Sequence, residues 1–290
     1  MWTDIEKAIS DASDRPFKIE STHEISGGSI NRAVCLQGYD RAYFAKLNSA
    51  SQLPMFAAEA VGLRAIAATL TLRVPKPIVW GTTADQSWLI LEYIPLAHSG
   101  TTTEAQLGKQ LAAMHRTTHR QFGWQEDNFI GSSAQSNRWE DSWLSFLRNQ
   151  RLAFQLKLAA RHDAPTTLLE KGKRLLLLLP GILDGYHPQV SLLHGDLWSG
   201  NRAADDEGQP VIFDPAVYFG DREADLAMTE LFGGFSESFY RAYRAAWPLE
   251  EGYEVRKQLY NLYHLLNHFN LFGGTYAQQA EHSMDFLLSQ

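Results

Sequence analysis

The chain has 290 residues, of which 44% are hydrophobic and 20% charged. That is enough apolar mass for one large domain or two lobes with their own cores, and too much for a disordered chain. A formal net charge of −7 argues against nucleic acid or an anionic membrane as the main partner and suits a cationic or neutral substrate. Cys35 is the only cysteine, which excludes an internal disulfide, and no signal-peptide pattern opens the sequence. The apolar run Leu175 to Leu179 is far too short to cross a bilayer. A cytoplasmic location and a monomer are the expectations.

Residues 3–13 read as a helix with Ile5, Ala8, Ile9 and Ala12 on one face. Residues 17–25, 33–37 and 41–47 read as strands, with a hairpin turn at Gly38 and Asp40. Residues 53–70 read as a helix that tolerates Pro54 in its first turn. Val74-Pro75-Lys76-Pro77 cannot be helical, and residues 78–81 and 88–92 add two strands. Together these make a five-stranded antiparallel lobe with one inserted helix.

Beyond Glu92-Tyr93-Ile94-Pro95 the pattern turns helical, over 103–119, 139–161 and 168–179. Pro180-Gly181 should interrupt the last of these, with a resumption before Pro188. A short strand at 190–193 should pair with 210–213 across the turn at 205–208. Segments 221–232, 236–247, 250–272 and 275–288 read as further helices. The expected fold is α+β and two-lobed: a nucleotide-binding lobe at 1–92, a hinge at 93–98, and a mainly helical catalytic and substrate-binding lobe at 99–290.

The chemistry concentrates in LLHGDLWSGN, Leu192 to Asn201. Asp196 and Asn201 stand in the pattern H-x-D-x-x-x-x-N, and Asp214 follows after a short strand. This matches the spacing of a protein-kinase catalytic loop, in which the Asp accepts the substrate hydroxyl proton and the Asn and the later Asp hold Mg²⁺. Phosphoryl transfer is positioning plus charge neutralisation, so it needs one carboxylate at the nucleophile and hard oxygen ligands for the metal. Upstream, Gly27-Gly28-Ser29 sits between two strands, where backbone without Cβ can approach phosphates. Lys46 on the third strand and Glu59 on the following helix have the order of a phosphate-contacting lysine and the glutamate that holds it. Glu92, Tyr93 and Ile94 should present backbone groups to an adenine edge. Asp214-Pro215-Ala216 replaces Asp-Phe-Gly and leaves no room for a phosphorylated activation loop, which favours a small-molecule kinase.

With LLHGDLWSGN, the runs IFDPAVYFGDREADLAM and NLYHLLNHFNLFGG resemble the fructosamine/ketosamine-3-kinase family, relatives of aminoglycoside and choline kinases of protein kinase-like fold. The resemblance covers nearly the whole chain. It implies ATP- and Mg²⁺-dependent phosphorylation of the 3-hydroxyl of a ketoamine carried by a lysine or another amino group, after which the adduct falls off. It also implies Asp196 as base, Asn201 and Asp214 as metal ligands, Lys46 at the phosphates with Glu59 positioning it, and Trp198 as a wall for the sugar. Tyr260, His264, Asn267 and His268 share a helical face, and His264 and His268 are carried as substrate contacts. Asp225 and His194 are expected to brace the catalytic loop, Asp221 to cap a helix, and His115 to lie in the core. Some eukaryotic members carry a cysteine at the position of Ser29; here Cys35 lies on the next strand, so no disulfide switch is implied. The competing readings are an aminoglycoside- or choline-type kinase, and a nucleotide-binding regulator without turnover.

Overall fold

The computed structural model describes residues 1–26 and 30–290, so the calls on Gly27, Gly28 and Ser29 lie outside the described residues. Helix α1 (Trp2–Ser13) buries Ile5 and Ile9 against the sheet. Strands β1 (Ser21–Ile25), β2 (Arg32–Gln37) and β3 (Ala42–Ser49) come next, then α2 (Leu53–Ala68), β4 (Pro77–Thr82) and β5 (Gln86–Glu92). The five strands form one antiparallel sheet in the order β1-β2-β3-β5-β4, as the alternation predicted. The first strand is shorter than expected. Phe17 lies ahead of it and meets Tyr43 edge to face across 4.9 Å.

The remaining elements are α3 (Thr101–His115), β6 (Asn128–Ile130), β7 (Ser133–Gln135), α4 (Trp143–Phe146), a π-helical segment (Leu147–Leu152), α5 (Ala153–Arg161) and α6 (Thr166–Ile182). They continue through β8 (Val190–Leu193), β9 (Arg202–Ala204), β10 (Pro210–Ile212), β11 (Tyr218–Asp221), α7 (Glu223–Leu231), α8 (Glu237–Ala246), α9 (Tyr253–Phe272) and α10 (Tyr276–Leu288).

Three expectations are corrected. β8 pairs not with residues 210–213 but with β11, Leu192 opposite Phe219, while β10 pairs with β9. The observed pairing sets the segment after Asp214 against the catalytic loop, where the Ala216 amide donates to the His194 carbonyl at 2.8 Å. Pro180 does not interrupt α6, which runs on to Ile182, and no second helical piece precedes Pro188. The proline deprives only the exposed last turn of a bond, and water can satisfy the freed carbonyl. The helix expected from Trp139 starts four residues later, where Ser142 Oγ caps it by accepting from the Ser145 amide at 3.2 Å.

One core runs from the sheet into the helices. Phe56, Leu63 and Ile66 of α2 pack in the same cluster as Leu89 of β5, Leu111 of α3, Leu197 of the catalytic loop, Val217, and Phe239 of α8. This shared core fixes the helix that carries Glu59 against the segment that carries Asp214. No described helix is long and apolar enough to cross a membrane.

Candidate active site

Lys46 sits mid-sheet in β3, paired opposite Ala33 and Leu89, and is only 5% exposed. A lysine so buried needs charge partners. Its Nζ donates to Glu59 Oε1 at 2.7 Å and to Asp214 Oδ1 at 2.5 Å. Burial opposes the charge, but Asp214 and Glu59 together hold the ammonium protonated, with its pKa raised above the usual lysine value. The sheet, α2 and the segment after β10 thus meet at one ion-paired node.

The catalytic loop lies beside it. His194 donates from Nε2 to the Phe213 carbonyl at 3.0 Å, and its Nδ1 accepts the Asp196 amide at 3.3 Å. Burial lowers its pKa, so it is the neutral tautomer that this pattern requires. Asp225 accepts the amides of His194 (2.7 Å) and Gly195 (2.8 Å) and a bond from His115 Nε2 at 3.1 Å. Burial alone would raise the Asp225 carboxyl; these bonds bring it below the ordinary value. His115 is fully buried and held also by the Tyr243 hydroxyl at 2.7 Å. Asp225, His194 and His115 therefore occupy the bracing and core places expected of them. Asp221 Oδ1 accepts the Glu223 amide in the first turn of α7 at 3.0 Å, while its Oδ2 takes the Tyr186 and Tyr260 hydroxyls.

Asn201 donates through Nδ2 to the Asp196 carbonyl at 2.9 Å and stands 3.4 Å from Asp196 Oδ2. Both contacts use Nδ2, so neither engages Oδ1. The Asp214 side chain remains 43% exposed beyond its bond to Lys46. Two side-chain oxygens from Asn201 and Asp214 suit Mg²⁺, which keeps waters and phosphate oxygens as its other ligands. Burial first, then the charges of Asp214 and Asp225, push the Asp196 carboxyl up to about 7. A carboxylate so placed is a stronger base than one in water.

At the expected hinge, the Glu92 amide donates to the Lys76 carbonyl at 2.9 Å. Glu92 turns its carboxylate to Arg73 at 3.1 Å and to the Lys76 amide, and Ile94 is buried. Tyr93 is partly exposed.

Trp198 projects from the loop, 36% exposed, and its indole lies over Gly200, where an added Cβ would come within 2.3 Å of the ring. It meets Phe232 edge to face at 6.3 Å; Phe232 is 4.8 Å from His268, which in turn neighbours Phe272 and Tyr276. The structure thus brings Trp198, His268 and Phe272 into one aromatic belt and adds Phe232 and Tyr276, which sequence reasoning missed. His268 Nδ1 donates to the His264 carbonyl at 2.9 Å. His264 is 3% exposed with no partner for Nδ1 among the described residues. Burial, then the neighbouring His268, lowers it to about 3, so it is neutral.

A nucleotide-type sheet, a Lys–Glu node and an Asp-Asn-Asp set around one loop define a kinase-type phosphotransferase with a hydroxyl acceptor. The fructosamine kinase profile matches residues 1–290, and the chain belongs to the fructosamine kinase family. It is 48% identical over 285 residues to a probable ketoamine kinase of Synechocystis sp., covering 97% of this chain and 94% of that protein. It is 41% identical to the chloroplastic protein-ribulosamine 3-kinase of Arabidopsis thaliana, over 92% of this chain and 82% of that one. The crystal structure of a candidate fructosamine-3-kinase from Haemophilus somnus 129PT superposes with a TM-score of 0.91 at 27% identity, covering 99% and 98% of the two chains. A thermostable mutant of aminoglycoside phosphotransferase APH(4)-Ia in its apo form shares the fold, with a TM-score of 0.63 at 18% identity over 98% of each chain.

Proposed function

We propose that this protein is an ATP- and Mg²⁺-dependent kinase that phosphorylates the 3-hydroxyl of ketosamines, ribulosamine or fructosamine adducts on lysine or other amino groups, and so promotes deglycation. The observation that carries the reading is the meeting of Asp196, Asn201, Asp214 and the Lys46–Glu59 pair at one place, in a chain so similar to the ketoamine kinases. Asp196 takes the proton of the 3-hydroxyl as that oxygen bonds to the γ-phosphorus and the bond to the ADP oxygen breaks. Lys46 contacts the nucleotide phosphates and Glu59 keeps it in place. Asn201 and Asp214 are the residues that would hold Mg²⁺, which when bound would supply positive charge against the phosphate oxygens. Backbone groups of Glu92, Tyr93 and Ile94 meet the adenine. Trp198 and His268 wall the sugar, with His264 behind them. The lobes divide at residues 93–98, and a cytoplasmic monomer is the expectation carried from the sequence.

The test is ATP consumption with Mg²⁺ against ribuloselysine, fructoselysine, kanamycin and choline. Turnover on a ketoamine alone supports the reading. Turnover only on kanamycin or choline keeps the phosphotransferase and discards deglycation, and ATP binding without turnover on any of them favours a regulator. Within this reading, Trp198→Ala raises the KM for the ketoamine roughly 5- to 10-fold, the worth of one aromatic face. The ATP KM stays unchanged, and steady-state kinetics on both substrates check the split.

A further inference from the structure

We propose that the β6–β7 hairpin positions Asp214, with Gln135 as the residue that fixes the Asp214–Val217 backbone. The inference rests on the proposed role of Asp214 as a metal ligand. Asp214 has φ +58, a left-handed conformation that costs a non-glycine residue about 1 kcal/mol or more and persists only when its surroundings impose it. The upstream flank is held by the catalytic loop: the Phe213 amide donates to the Asn201 carbonyl at 3.1 Å, and the Phe213 carbonyl accepts from His194. Downstream, the Ala216 amide donates to the His194 carbonyl at 2.8 Å. The two following carbonyls are held by the hairpin. Gln135 Nε2 donates to Ala216 O at 3.0 Å and Asn128 Nδ2 to Val217 O at 2.7 Å.

The orientation of the Gln135 amide is dictated. Nε2 also donates to Asn128 Oδ1 at 2.8 Å, and Oε1 accepts the Tyr263 hydroxyl at 2.7 Å. Asn137 Nδ2 donates to Asn128 Oδ1 at 2.8 Å, and Arg151 to Asn137 Oδ1 at 2.8 Å. Arg151 is fully buried in the π-helical segment with no carboxylate partner among the described residues. It is held by carbonyls and by the Tyr218 ring face, 4.0 Å away. A buried polar network of this kind stabilises less than apolar packing would, and what it supplies is one unique geometry. The hairpin tip also touches its surroundings at both ends of the site: a Cβ on Gly131 would meet Ile30, just beyond the glycine-rich segment, at 3.0 Å, and Leu271 of α9 at 3.2 Å. In a kinase with no activation loop to order the metal-binding aspartate, this hairpin does the ordering permanently.

Gln135→Met removes the bonds and keeps the bulk. The readout is the Mg²⁺ concentration that half-saturates tightening of ADP binding, measured by calorimetry, beside kcat, both KM values and the melting temperature. In Gln135→Met the Mg²⁺ midpoint rises and kcat falls about 10-fold, as for supports of other metal ligands. ADP affinity in EDTA and the ketoamine KM stay at wild-type values. A wild-type Mg²⁺ midpoint overturns the inference whatever kcat does. If Gln135→Met does not fold, Tyr263→Phe decides in its place: a raised midpoint sustains the inference, an unmoved one overturns it. Asp214→Asn separates the underlying reading. An unmoved midpoint there removes Asp214 as metal ligand, whereas a midpoint moved there but not in Gln135→Met removes only the positioning role.

Discussion

Asp196→Ala lowers kcat for the ketoamine by about 10³-fold, the scale of a lost general base, and leaves ATP affinity within about twofold of wild type. The asymmetry follows from what Asp196 does and does not touch. Its carboxylate contacts Asn201 Nδ2, while its main-chain carbonyl and amide make the bonds that shape the loop. Alanine keeps the main-chain bonds. The node that would bind the phosphates, Lys46 with Glu59 and Asp214, contains no atom of Asp196. Removing a half-buried carboxylate that faces the charges of Asp214 and Asp225 relieves a desolvation and repulsion cost, so the melting temperature of the metal-free variant does not fall. Rapid-quench turnover, nucleotide titration and a thermal melt check the three parts. Wild-type turnover in Asp196→Ala would refute the mechanism; parallel loss of turnover and nucleotide affinity would make Asp196 a structural residue.

Much of this was legible because it is local. The spacing from His194 to Asn201 is a single loop, and a loop that must bring the Asn201 amide to the Asp196 carbonyl and carboxylate has little freedom in sequence. The sheet was legible through its alternation. What escaped notice depends on long-range closure. β6 and β7 are three residues each, and NFIGSSAQ carries no alternation, so Asn128 and Gln135 read as loop amides. Only in three dimensions do they reach Ala216 and Val217, more than eighty positions away. The wrong partner for β8 has the same origin: a four-residue strand with two short apolar candidates downstream is settled by packing, not pattern. Arg151 gives no signal at all. Its segment has π-helical geometry, which shifts the phase of every side chain relative to a 3.6-residue repeat. Phe232 is a lone aromatic after a helix, and its place between Trp198 and His268 depends on how that helix ends.

Gly195→Ala is the other change with a large expected effect, and it acts through folding. Gly195 has φ +82, which already costs an L-residue about 1–2 kcal/mol. The added Cβ would also stand 2.1 Å from the Ala216 carbonyl oxygen and 2.8 Å from its carbon, both backbone atoms that cannot swing away. At this point the catalytic loop and the segment after Asp214 cross, pinned by the bond from the Ala216 amide to the His194 carbonyl at 2.8 Å and by Asp225 on the Gly195 amide. Relief requires breaking one of these bonds or shifting Ala216, and with it Asp214. The total cost is about 3 kcal/mol or more, and turnover is lost even in the fraction that remains folded. Gly62→Ala is the contrast. Gly62 lies inside α2, where alanine gains about 1 kcal/mol in helix propensity, and its Cβ would meet only side-chain atoms of Val217, at 3.2 and 3.3 Å, and of Pro215 at 3.4 Å. Urea unfolding should place Gly62→Ala within about 1 kcal/mol of wild type and Gly195→Ala far below it. Equal stability of the two variants would mean that the crossing of the two loops is not the constraint on Gly195.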